Sequence, residues 1–152
     1  MAEWCGLLGF TVVLCVSMVR LGNMAAGSFA LPWSALHIAV FAANLIFMLY
    51  VEGYRGFQKR FSPRFAKRAV ALRTRPSWLE AALAPLVLMG LFFAPRRQLI
   101  VSWLLTIGIV IIVLIYRALP QPWRGILDAG VLVALLWGTL ATFVLTVNAL
   151  RR

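Results

Sequence analysis

Apolar residues in this chain fall in long unbroken runs, with little of the alternation that marks a half-buried strand or an amphipathic helix. Five runs stand out, at 4–19, 33–51, 78–94, 99–116 and 129–150. The hydrocarbon core of a bilayer is about 30 Å thick, and a helix needs roughly 20 apolar residues to cross it. Each run approaches that length. In lipid an unpaired backbone N–H or C=O finds no water, so every run is predicted to be helical. The pattern predicts a single all-α membrane domain over 1–152, a bundle of five transmembrane helices. The runs at 4–19 and 78–94 are short, but Arg20, able to reach back to an interface, bounds the first, and Pro95-Arg96-Arg97 bounds the other.

The polar stretch 52–77 breaks the pattern. Ser62-Pro63 is a helix-start pair, serine at N-cap and proline at N1. A helix from Pro63 to about Thr74 would group Phe65, Ala69 and Leu72 on one face and Arg64, Lys67 and Arg68 on another. That predicts a short basic helix lying in the interface plane between two spans. Arg55, Lys59, Arg60, Arg73 and Arg75 complete the eight basic residues of this insert. Just beyond it, Pro76 marks a boundary, and Ser77-Trp78-Leu79-Glu80 reads as a capping box opening the third run.

Composition strengthens the membrane reading. Hydrophobic residues make up 63 % of the chain and charged ones 12 %, against about half and a quarter in soluble domains. Disorder is excluded by the same excess of large apolar residues. The net charge of +11 sits in the connections between runs. In a soluble protein it would suggest nucleic acid; here the expected counter-charge is anionic lipid, and no nucleic-acid partner is expected. Cys5 and Cys15 are too far apart along one helix for a disulfide and read as small packing residues.

Charge also orients the chain. With five spans, ten basic residues share the side of the N-terminus and five lie opposite. By the positive-inside rule the N-terminus is cytoplasmic. A rival has four spans, with 78–94 re-entering and returning on one side; the split is then twelve to three. Pro85, in the middle of that run, is expected to kink a spanning helix, which favours five.

Few residues carry chemistry. Gly130, Ala134, Gly138 and Thr142 form a small-residue stripe for close helix packing. His37 and Asn44 are polar residues within the second run, expected to bond a neighbouring helix or to build a site. Glu52-Gly-Tyr-Arg55-Gly closes that run, and Trp123-Arg124-Gly-Ile-Leu-Asp128 opens the last. Glu52 with Arg55 and Arg124 with Asp128 can pair within their own helices. Crossed pairs, Glu52 with Arg124 and Asp128 with Arg55, would clamp two helix ends together or form a pocket for an anionic headgroup. No catalytic set, metal-type cluster or cofactor motif is present, so none is expected.

The segments Glu52-Gly-Tyr-Arg-Gly-Phe-Gln58, Phe61-Ser-Pro-Arg64 and Leu119-Pro-Gln-Pro-Trp-Arg-Gly125 resemble a group of small uncharacterised bacterial inner-membrane proteins. The resemblance implies a multi-pass protein of that membrane and no activity. Length, basicity and helix count also resemble the four-helix trimeric membrane proteins of eicosanoid and glutathione metabolism. That family's Arg- and Asn-containing motif with a paired Glu is missing, and no residue role carries over. The expected function is structural or accessory, binding anionic lipid and a membrane-protein partner or a second copy. The alternative is a membrane-embedded enzyme or carrier for a lipid or amphipathic anion.

Overall fold

The computed structural model describes residues 2–74, 77–92 and 94–151, all in helices and short connections. The predicted surface cation Arg75, the boundary Pro76 and Arg152 lie outside the described residues. In chain order the elements are α1 (Ala2–Phe29), α2 (Ala35–Met48), a π-helical segment (Leu49–Phe61), α3 (Ser62–Thr74), α4 (Trp78–Ala82), α5 (Ala84–Met89), α6 (Arg96–Ala118) and α7 (Trp123–Arg151). Four helices are long and apolar enough to cross a membrane: α1, the continuous helix Ala35–Thr74, α6 and α7.

The expected fifth crossing at 78–94 is replaced by two short helices of 5 and 6 residues. At 1.5 Å per residue each is under about 10 Å long, far short of a bilayer core. Pro85 causes a full break where a kink was expected. Leu83 leaves helical geometry at φ −100°, ψ 19°, and Pro85 then sits in the first turn of α5. A proline there loses nothing, because first-turn amides have no helical partner. The N-terminal capping box of α4 is present, Ser77 Oγ accepting from the Glu80 amide at 3.2 Å and Glu80 Oε2 from the Ser77 amide at 3.0 Å.

The short interfacial helix is also replaced. Residues 35–74 form one continuous helix of 40 residues, and Ser62 is a buried interior residue. The amide of Ser62 donates five residues back, to the Phe57 carbonyl. These wide π turns end just before Pro63, whose ring would crowd the carbonyl four residues back in an ordinary α-helix. The chain has reason to continue. Phe65, Ala66, Ala69 and Leu72 are buried on one face, and Ser62 Oγ lies 2.8 Å from Thr142 Oγ1.

Contacts along α7 set the directions. Asn44 reaches Ile126, Gly53 lies against Trp137, and Ser62 meets Thr142. The long helix therefore runs parallel to α7. Met24 meets Arg124 and Ser28 lies against Gly125, while Leu7 and Phe10 share a core cluster with Leu150, so α1 runs antiparallel. That cluster gathers the start of α1, α3, α5 and the end of α7 at one end of the bundle. Phe10, Phe61 and Phe65 form its aromatic centre, with ring centroids 4.8–5.7 Å apart. Cys5 and Cys15, expected as packing residues, are both exposed on α1.

Helix α6 starts at the cluster end, where Gln98 meets Arg68, and returns to the opposite end beside the start of α7. Its described large apolar side chains from Ile100 to Ile115 are 43–64 % exposed. Water would not tolerate such a helix, since each large apolar side chain gains about 1.5–3 kcal/mol on leaving water.

A labelling experiment checks this path. In a background without Cys5 and Cys15, single cysteines replacing Lys67, Arg97 and Arg151 should react with an impermeant thiol reagent from one side. Cysteines replacing Leu31 and Gln121 should react from the other. Five crossings would put Arg97 opposite Lys67.

Candidate functional site

A row of exposed cations lies on the π segment and α3. Arg55, Lys59, Arg60, Arg64 and Lys67 all face outward. Because Phe57 packs on Gly138 and Ser62 on Thr142, this basic strip stands beside the second half of α7. There the outer surface of α7 is Leu140, Phe143, Val144 and Leu145, and that of α1 is Leu8, Val12 and Val13. A row of cations thus runs between apolar outer faces. Lys59 Nζ lies 4.7 Å from the centroid of the Tyr54 ring, a cation–π contact. Arg73 is engaged at the end of the bundle, Nη1 donating to the Leu150 carbonyl at 2.6 Å. A cation there satisfies one of the unpaired carbonyls of the last turn of α7.

Arg68 points away from this row. Half-buried, it donates through Nη1 to the Leu88 carbonyl at 3.0 Å and through Nη2 to Gln98 Oε1 at 2.9 Å. It ties α3 to the end of α5 and the first turn of α6. A cleft of about 400 Å³ opens beside it, lined by Leu72, Glu80, Val87, Pro95 and Gln98. Its polar groups are already engaged: Glu80 is held by the α4 cap, and Arg68 by Leu88 and Gln98. The cleft is a structural knot. Above the guanidinium lies Gly90 at φ 80°, where a side chain would be strained and would also strike Arg68.

The crossed clamp is not formed. Glu52 and Arg55 are exposed on the π segment, whose Gly53 packs at the level of Trp137. Arg124 and Asp128 lie in the first turns of α7, and thirteen helical residues from Arg124 to Trp137 span about 20 Å. The charged partner of Asp128 is Arg124 in its own helix, Nε to Oδ2 at 3.7 Å. Asp128 is 5 % exposed, and its Oδ2 accepts no hydrogen bond. Arg124 Nη2 turns to the Met24 thioether at 3.1 Å.

The other polar residues within the second run act on backbone. His37 sits in the first turn of α2 as a capping residue, Nδ1 accepting from the Ser34 amide at 3.1 Å. Its ring meets Trp123 edge-on at 4.7 Å. Asn44 Nδ2 donates to the Ile126 carbonyl at 2.9 Å. The small residues Gly130, Ala134, Gly138 and Thr142 are all buried, Gly130 against Asn44 and Met48, and Gly138 against the Phe57 ring.

Sequence reasoning grouped Arg68 with the surface cations and gave no place to Gln98 or to Gln58, which accepts from Trp137 Nε1 at 2.9 Å. No spacing rule marks these long-range partners. Among the described residues no three His, Cys, Asp or Glu side chains come together as a metal site would require. The chain matches no protein-family model, no curated protein and no solved structure.

Replacing Arg68 with alanine should lower stability by about 2–3 kcal/mol, since it removes charge-assisted hydrogen bonds and leaves a buried carbonyl unpaired. Thermal unfolding in detergent reads this. Arg64→Ala, on the exposed row, should change the midpoint by less than a quarter as much.

Proposed function

We propose that this chain is a multi-span membrane protein with a structural or accessory role, whose basic strip holds anionic phospholipid. The observation that carries the reading is the row Arg55, Lys59, Arg60, Arg64 and Lys67, exposed between the apolar outer faces of α1 and α7. Lipid against those faces brings headgroups within reach of the row, and each cation near an anionic surface gains roughly 1 kcal/mol. The second half of α6, from Ile109 to Ile115, is little covered by its own chain and offers a seat for a membrane-protein partner or a second copy. The membrane is a bacterial inner membrane in this reading. The start of α1, the half of the long helix that carries the basic strip, the start of α6 and the end of α7 share one half of the bundle, so among the described residues ten basic ones fall in that half and three, Arg20, Arg117 and Arg124, in the other. The positive-inside rule makes the ten cytoplasmic, and with them the N-terminus.

The test is lipid-dependent stability. Dioleoyl phosphatidylglycerol added to detergent-solubilised protein should raise its thermal midpoint more than dioleoyl phosphatidylcholine does. The triple change Arg60→Gln, Arg64→Gln, Lys67→Gln should remove at least half of that difference, as should about 1 M salt, which shortens screening to roughly 3 Å. Equal responses of the unaltered protein to both lipids would reject the proposal.

A further inference from the structure

Gly90 ends α5 in the left-handed conformation and turns the chain. Leu91 and Phe92 then lie across from α6, and an apolar groove of about 560 Å³ runs between them and Leu99, Ile100, Trp103 and Ile107. Phe92 and Trp103 meet edge-to-face at 6.4 Å across it. Residues 96, 100, 103 and 107 follow at intervals of four, three and four, the spacing of one helix face. Exposed Arg96 therefore heads the groove, with exposed Arg97 beside it.

Length identifies the occupant. From Arg96 to Ile107 the helix rises roughly 16 Å, and one leaflet of hydrocarbon is half of about 30 Å. The groove begins at a pair of arginines and descends through apolar side chains for the depth of one leaflet. Arginine suits phosphate, presenting several donors in a planar fork. A second helix is the poorer occupant. Close helix packing wants small residues, and this face of α6 presents isoleucine, leucine and tryptophan. The small-residue face of α7 is already covered by the long helix.

We propose that this groove seats one acyl chain of an anionic phospholipid, with Arg96 and Arg97 holding its phosphate. The site shares no residue with the basic strip and does not depend on it.

Native mass spectrometry of delipidated protein tests this, with dioleoyl phosphatidylglycerol and phosphatidylcholine as the probes. One phosphatidylglycerol per chain should remain bound under activation that strips phosphatidylcholine. Arg96→Gln with Arg97→Gln should weaken that first phosphatidylglycerol roughly thirtyfold and leave phosphatidylcholine binding as it was. Ile107→Trp, at the deep end, should weaken both lipids. These positions face lipid, and unchanged circular dichroism should report an intact fold in each variant. The Arg60→Gln, Arg64→Gln, Lys67→Gln protein should keep its first phosphatidylglycerol, which separates this site from the basic strip. The proposal is overturned if that triple variant loses the first lipid, or if the Arg96/Arg97 variant binds phosphatidylglycerol as the unaltered protein does. It is equally overturned if the chain dimerises through α6, with Ile107→Trp abolishing the dimer and no lipid bound.

Discussion

The bare seam along α7 is what the rest of the bundle leans on. Gly125 takes Ser28 of α1, Gly130 takes Asn44 and Met48 of α2, and Gly138 takes the Phe57 ring. Thr142, one turn further on, meets Ser62. In water such helices would be driven together by burial of apolar surface. In lipid that drive is weak, because the solvent is as apolar as the side chains, and close backbone approach with a few polar links has to replace it. A seam without side chains lets two helices come near enough for dispersion contacts along their whole length. It also places carbonyls within reach, as the bond from Asn44 to the Ile126 carbonyl shows.

Much of this was legible in the sequence because it is local. Apolar runs give the long helices, four-residue spacing gives the α7 seam, and Ser77 with Glu80 gives a helix start. What misled were local signals overruled by distant partners. Ser62-Pro63 has the chemistry of a helix start, yet the residues after it find a protein surface on which to bury Phe65, Ala69 and Leu72. The apolar face was grouped soundly, with protein as its partner where lipid was expected, but Arg68 turns inward, away from Arg64 and Lys67. Continuing the helix keeps those side chains in register with α7, and wide turns before Pro63 accommodate its ring.

The run 78–94 failed for a related reason. Apolar content and a good cap both argued for a spanning helix, and a proline in a long helix often only bends it. Here the broken form has specific support. Gly6 and Gly9 of α1 leave room for Ala84, Pro85 and Leu88, and Arg68 takes the Leu88 carbonyl that the break would otherwise leave open. The supporting residues lie at distances in sequence that no window can join. The same holds for the polar sites. Arg124 with Asp128 is visible as an i,i+4 pair, whereas the position of Glu52, about 20 Å away along α7, depends on which helices are parallel.

The basic strip limits how lipid can surround the bundle. A cation in the middle of a bilayer costs about 2.5–3.5 kcal/mol on insertion scales, and five of them would cost about as much as the whole stability of an ordinary domain. Arg68 avoids that cost by turning inward to protein acceptors. Arg55, Lys59, Arg60, Arg64 and Lys67 stay on the outside. At one level of the bundle the long helix carries cations outward while α1 and α7 carry exposed apolar side chains such as Leu8 and Leu145, so it divides two kinds of surface. The short helix α5 packs on the start of α1 at the cluster end, against Gly6 and Gly9.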